Sequence, residues 1–351
     1  MTKHKIRNIY DKETLHQKIE QEQLGRLTLS FYRYIPLKNV QQLRDDLFQS
    51  WSELNVLGRV YLAEEGVNAQ ISIPENSLNA FKAALDSLEF FADMPLKIAV
   101  EDSKFSFLKL IIKVRKHIVA DGLKPEDYDV SNVGKHLTAE EFHGFIDDEN
   151  SVVVDMRNHY EYEVGHFDNA IDLDVDTFRQ ALPEALEQLK GKEEKKILLY
   201  CTGGIRCEKA SSYLRHHGFQ DVNQLYGGII EYAHHVKENN LESKFKGKNF
   251  VFDDRLGERI TEDILSKCHN CGASSDKHKN CANDACHILF IQCEQCADEL
   301  TNCCSEACKD IIELPIEEQK QLRKGNPAKG SHMAYKKGRI RPRLDEKGRE
   351  F

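Results

Sequence analysis

One cysteine stands where a strand pattern gives way to a helix pattern, and its neighbours suit an anion. Residues 195–200 (KKILLY) are followed by Cys201-Thr202-Gly203-Gly204-Ile205-Arg206, and then by a helical stretch over 207–217 closed by Gly218. At such a junction backbone N–H groups converge and the positive end of a helix dipole points at the loop, so a thiolate is favoured over a thiol. Gly203 and Gly204 let the backbone curl without Cβ clashes, so several amides can face one charge. Arg206 adds a fixed positive charge at the far end. An ordinary cysteine titrates near ~8.5, and surroundings of this kind lower it. Cys201 is therefore the candidate reactive residue, with Thr202, Gly203, Gly204, Ile205 and Arg206 as its anion-holding loop. Cys207, on the first turn of the helix, is either a resolving thiol or a packing residue, and packing is the favoured reading.

A second chemistry-bearing region lies near the C-terminus. Nine of the eleven cysteines fall between Cys268 and Cys308. Cys268-x-x-Cys271 and Cys293-x-x-Cys296 form two knuckles; Cys281 and Cys286 lie between them, and Cys303, Cys304 and Cys308 follow. Without a secretory signal, this crowding favours metal over disulfides. Thiolates at this spacing suit two tetrahedral zinc sites built from Cys268, Cys271, Cys281, Cys286, Cys293, Cys296, Cys304 and Cys308, in sequential or interleaved pairing. His269, His278 and His287 are alternates, and an iron–sulfur cluster or a group of reduced thiols are the rival readings. The segment has too few large apolar residues to pack a core without metal.

These residues need scaffolds. A chain of 351 residues is long enough for two or three domains. No apolar run approaches the ~18 residues of a membrane span, and the basic start Met1-Thr2-Lys3-His4-Lys5 has no apolar stretch behind it, so the expected compartment is the cytoplasm. Residues 1–20 read as a flexible lead. Over 21–118 the order is strand (24–35), helix (38–54), two strands (56–73), helix (75–88) and strand (96–100), with 107–114 as a possible further strand. That βαββαβ order describes a ferredoxin-like, or acylphosphatase-like, α+β domain. A polar connector over 116–140 follows. Over 130–245 buried-type strands (151–155 and 197–200) alternate with helices (138–147, 183–190 and 207–217), which argues for a parallel α/β sheet. Phe250–Asp253 reads as a last strand, 250–312 as the cysteine-rich segment and 313–351 as a basic tail.

The segment Val152-Val153-Val154-Asp155-Met156-Arg157, with Glu161-Tyr162, Gly165-His166-Phe167 and Ala170-Ile171, resembles the first half of a rhodanese domain. Leu214-Arg215-His216-His217-Gly218-Phe219 and Leu225-Tyr226-Gly227-Gly228-Ile229 resemble its closing half. Four residues separate Cys201 from Arg206, which matches the sulfur-sized loop rather than the longer phosphatase loop. Asp155 and Arg157 read as an internal structural pair. With the flanks Gly58–Gln70 and Cys281–His287 included, the chain resembles the bacterial rhodanese-domain tRNA wobble-uridine hydroxylases through about residue 310.

That resemblance implies oxygen-dependent conversion of the wobble uridine to 5-hydroxyuridine, with Cys201 essential through a persulfide or a base adduct. Dioxygen is the implied co-substrate and the tRNA anticodon loop the implied partner; no membrane and no protein partner are implied. No flavin or nicotinamide fingerprint and no iron facial triad is present, so no cofactor for the chemistry is identified. A persulfide sulfurtransferase and a non-enzymatic RNA-binding module are the alternatives. The net charge of −9 means that phosphate contacts must come from local patches. From Gln321 onward there are ten Lys and Arg against three Asp and Glu. This tail, around Arg339, Arg341 and Arg343, is either a solvated extension or a phosphate-contacting arm. Arg33 and Arg59 are secondary candidates, with solvated surface slightly favoured for both.

Overall fold

The computed structural model describes residues 12–101, 103–124, 127–129 and 131–324. These divide into two compact units: one running to Tyr162 with His166–Phe245 and Asn249–Ile260, the other comprising Glu163–Gly165, Lys246–Lys248 and the chain from Thr261 onward.

The first unit begins with helix α1 (Lys12–Glu20). The second half of the stretch read as a flexible lead is thus helical. Leu15 and Ile19, four residues apart on one face, are half-buried and buried, and His16 packs on Phe105 at 5.2 Å. Residues 1–11 lie outside the described residues. There follow β1 (Arg26–Tyr34), α2 (Val40–Glu53), β2 (Leu57–Ala63), β3 (Gly66–Pro74), α3 (Leu78–Asp86), β4 (Lys97–Ile98) and β5 (Leu110–Val114). Their sheet has the order β4-β1-β3-β2-β5. The first four positions are the ferredoxin-like order, and β5 extends the edge by pairing parallel with β2. The strand period of two decides what each face does. On β1, Leu29 and Phe31 enter the core with Trp51 and Phe81. Ser30, Tyr32 and Tyr34 consequently project from the opposite face.

Next come β6 (Lys135–Leu137), α4 (Ala139–Phe145), β7 (Ser151–Asp155), α5 (His159–Tyr162), β8 (Gly165–Phe167), β9 (Ile171–Asp172), α6 (Phe178–Gln188), β10 (Lys196–Tyr200), α7 (Ile205–His216), β11 (Asp221–Leu225) and α8 (Gly228–Glu238). A parallel sheet of order β6-β11-β10-β7-β9 lies between two cores. Ile197 and Leu199 point to the core under α6 and α7, while Leu198 and Tyr200 point to the core under α4 and α8. Continuing the alternation, Cys201 falls on the α6/α7 side.

Three expectations shift. Helix α6 starts more than a turn before Pro183, which sits inside it. Helix α7 starts directly after Gly204, two residues earlier than its hydrophobic pattern suggests. The strand near the expected 250–253 is β12, which runs Phe245–Asn249 and ends before Phe250. Phe250 instead packs edge-on against Tyr160 and Phe252, and the Asp253 carboxylate accepts from the Arg255 backbone N–H, turning the chain. The short β13 (Glu258–Arg259) follows.

The second unit carries β14 (His278–Asn280), β15 (Leu289–Ile291), α9 (Glu294–Glu299), α10 (Glu306–Glu313) and α11 (Ile316–Lys324). The start of the presumed tail is therefore helical. Residues 325–351, with Arg339, Arg341 and Arg343, lie outside the described residues. No helix among the described residues is long and apolar enough to cross a membrane.

Candidate active site

Strand β10 delivers Cys201 fully buried to the loop, and Gly204, at φ 99°, turns the backbone into α7. That left-handed conformation is one which a Cβ would oppose, and it aims the Gly204 N–H at the Cys201 sulfur, 3.1 Å away. The loop rests on the start of α8, where the Ile229 N–H donates to the Cys201 carbonyl. A Cβ on Gly228 would lie 2.5 Å from that carbonyl oxygen, so only glycine allows the approach.

Burial alone would push the Cys201 thiol up. A hydrogen bond from the Cys207 thiol, the Arg206 charge, and the amides of Arg206 and Gly204 outweigh burial and lower it to about 6. Burial and the adjacent Cys201 anion push Cys207 well up, so it stays a donor. Cys207 does pack in the core, as its position suggested, but it also stabilises the neighbouring thiolate.

Arg206 is held by a residue that spacing did not single out. Its guanidinium donates to Glu161 at 2.7 and 2.8 Å, a bidentate pair in which Glu161 is fully buried. The Asn158 N–H also donates to Glu161. Arg206 thus acts on Cys201 by charge from a fixed seat. Thr202 lies beside it, 3.4 Å from the guanidinium. Gly203 faces the N-terminal sheet: a Cβ there would lie 4.0 Å from Ser30 Oγ, a buried hydroxyl with no hydrogen-bond partner among the described residues. Asp155 and Arg157 do form a buried internal pair, with bonds of 2.9 and 2.6 Å.

The outward face of β1 covers the loop. The Tyr32 hydroxyl donates to Glu208 Oε1 at 2.9 Å and sits where a Cβ on Gly204 would collide. Lys209, almost fully buried on α7, donates to Glu65 at 2.7 Å and Tyr128 at 2.6 Å, tying the two sheets' domains together. Between them is a cavity of about 280 Å³ lined by Tyr32, Tyr34, Lys97, Glu208, Lys209 and Tyr226, among others. Lys97 lies 4.6 Å over the Tyr32 ring, and burial lowers its ammonium from the usual lysine range. Burial opposes the Glu208 charge, but bonds from His136, Gln224 and Tyr32 hold the carboxyl below its usual range. Arg33 reaches the same cavity, but its guanidinium donates to the carbonyls of Phe90, Ala92 and Asp93. Arg59 donates to the Phe252 carbonyl at 3.4 Å. Neither is simply solvated surface.

In the second unit the cysteines gather into two sets. The sulfurs of Cys268, Cys271, Cys293 and Cys296 lie within 4.8 Å of one another, as do those of Cys281, Cys286, Cys304 and Cys308. The pairing is interleaved. Sulfur–sulfur separations of 3.6, 3.7 and 3.8 Å match the edge of a tetrahedron of ~2.3 Å metal–sulfur bonds, about 3.8 Å. The geometry fits a tetrahedral thiolate-bound metal. Cys303 is buried outside both sets. His269 and His278 converge on Glu163 at 3.4 and 3.8 Å, and neither they nor His287 belongs to the sets.

Comparison with known proteins adds the following. A family model described as the UPF0176 acylphosphatase like domain matches residues 26–118. A rhodanese-like domain model matches 138–235, and a rhodanase C-terminal model matches 246–309. The chain is 56% identical to the tRNA uridine(34) hydroxylase of Leptospira interrogans, over 98% of this chain and 93% of that one. It is 48% identical to the tRNA uridine(34) hydroxylase of Cronobacter sakazakii, over 97% of both chains. With that of Pectobacterium carotovorum it shares 50% identity, over 89% of this chain and 90% of that one.

Proposed function

The chain belongs to the tRNA uridine(34) hydroxylase family and hydroxylates the wobble uridine of tRNA, and we propose that the Cys201 thiolate opens this reaction. Addition of the thiolate to C6 of the uracil makes C5 nucleophilic. C5 then takes one oxygen atom of dioxygen, a two-electron oxidation of the base, while two external thiols, oxidised to a disulfide, supply the two electrons that carry the other oxygen atom to water. Loss of the C5 proton and expulsion of the thiolate yield 5-hydroxyuridine. The observation that carries this reading is the Gly204 N–H on the Cys201 sulfur at 3.1 Å, within surroundings that lower the thiol to about 6. Such a group is an anion at neutral pH and a competent nucleophile.

The cavity beside the loop receives the base. Chemistry on one base requires that it leave the stack, and an anticodon loop presents bases already splayed. Tyr226, 47% exposed at the cavity, offers a ring for stacking. Phosphate contacts come from the C-terminal tail, since Arg33 is held by backbone carbonyls. The two cysteine sets hold zinc, whose role is structural: all four ligands of each site are thiolates, leaving no open position. The cytoplasm is the compartment that this reading expects.

The test is nucleoside mass spectrometry of tRNA from cells lacking the protein, complemented with wild type or Cys201→Ser. Wild type restores 5-hydroxyuridine-derived nucleosides and Cys201→Ser does not. Full restoration by Cys201→Ser would overturn the role given to Cys201. Loss of a sulfur-containing nucleoside in the deletion, with 5-hydroxyuridine unchanged, would point to sulfur transfer instead.

A further inference from the structure

Two opposite charges line one small cavity without bridging it. Glu208, on the first turns of α7, accepts from the Tyr32 hydroxyl and from His136 at Oε1, and from Gln224 at Oε2. A carboxylate has about four acceptor sites, so one remains, on Oε2. Lys97, on β4, is 8% exposed and reaches the same cavity. Its ammonium makes no hydrogen bond or ion pair with any described residue, and its neighbour is the face of the Tyr32 ring. The side chain is otherwise buried and its ammonium opens on the cavity, available to a ligand that brings an acceptor.

On the reading that the wobble uracil enters this cavity, we propose that Glu208 and Lys97 recognise its imide edge. The uracil N3–H donates to Glu208 Oε2, and Lys97 donates to the adjacent O4 carbonyl. Uracil places a donor beside an acceptor, which is the complement of a carboxylate beside an ammonium. Cytosine does not fit. Its N3 is a lone pair that would face the Glu208 carboxylate, and its exocyclic amine would face Lys97. The pair therefore selects uridine over cytidine by leaving buried charges unpaired when the wrong base enters. Tyr32, His136 and Gln224 are positioning residues that hold the carboxylate.

The proposal is tested with anticodon stem-loops that differ only in the wobble base: uridine, N3-methyluridine or cytidine. The full-length wild-type protein should bind the N3-methyluridine and cytidine forms at least about tenfold more weakly than the uridine form. Glu208→Gln, which can donate to the cytosine N3, should bring uridine and cytidine binding within a few-fold of each other. Lys97→Met should weaken uridine binding by about tenfold while leaving the uridine to N3-methyluridine ratio in place. Should wild-type protein bind N3-methyluridine as tightly as uridine while still hydroxylating uridine, the imide readout is absent and the reaction assignment stands. Wild-type protein that leaves the wobble uridine unmodified would remove the reaction assignment, and this proposal with it. The wild-type ligand series decides the matter even if Glu208→Gln proves unstable.

Discussion

Replacing Cys207 with alanine should raise the Cys201 titration midpoint without touching the loop backbone. In the native site the Cys207 thiol, the Arg206 charge and two amides hold Cys201 at about 6 against burial. At pH 7 the thiolate then outnumbers the thiol by about ten to one. A hydrogen bond to a charged group contributes about 1.5–3 kcal/mol, or about one to two pH units. Cys207→Ala should therefore titrate at about 7 to 8, leaving roughly half to a tenth of the molecules as thiolate at pH 7. Cys207→Ser keeps an O–H donor and should stay near the wild-type midpoint. The assay is thiolate ultraviolet absorbance against pH, supported by alkylation rates followed by mass spectrometry. In wild type both signals rise as pH climbs through about 6, because the reactive form is the deprotonated one. An unchanged midpoint in Cys207→Ala, or equal alkylation of Cys201 and Cys207 in native protein, would refute the geometry described for this pair.

Three further outcomes are expected. Glu161→Ala leaves the buried Arg206 guanidinium without its bidentate partner and should cost about 3–5 kcal/mol in urea unfolding; a loss below about 1 kcal/mol contradicts that role. Elemental analysis of anaerobically purified protein should give two zinc per chain, because two four-sulfur sets are present, and chelation should make residues beyond about 261 protease-sensitive. Iron with labile sulfide, or unchanged protease resistance after metal removal, overturns it. Deleting residues 330–351 should weaken tRNA binding and flatten its salt dependence while leaving the Cys201 titration unchanged; equal affinity and equal salt slope would make the tail a solubilising extension.

What the sequence made legible is what is local. The Cys201 loop, its two glycines and Arg206 are contiguous, so the strand–loop–helix junction and its preference for an anion could be read directly. The strand alternation of β10 likewise places Cys201 on a definite side of the sheet. What escaped depends on residues far apart in the chain. Glu161 meets Arg206 across 45 positions, and Tyr32 meets Glu208 across 176; no spacing rule reaches that far. Lys97 sat in a stretch read only as strand, and no local pattern marks a lysine that will be buried beside a cavity. The pairing of the knuckles was open for the same reason. Spacing allowed sequential or interleaved sets, and tertiary contact brings Cys268 and Cys271 to Cys293 and Cys296. The strand expected at Phe250–Asp253 failed because two phenylalanines in a row of apolar residues mimic a buried strand, whereas their rings pack against Tyr160 and each other. Helix α1 was hidden by its polar composition, since only Leu15 and Ile19 carry its apolar face.

The central claim is that Cys201 carries the oxidation of the wobble uridine. Its most direct test uses tRNA from cells lacking the protein, incubated with purified wild type or Cys201→Ser and a thiol reductant under heavy-isotope dioxygen and digested for nucleoside mass spectrometry. The account predicts 5-hydroxyuridine bearing the heavy oxygen with wild type and none with Cys201→Ser. Labelled 5-hydroxyuridine from Cys201→Ser, or product from wild type whose oxygen comes from water, would contradict it.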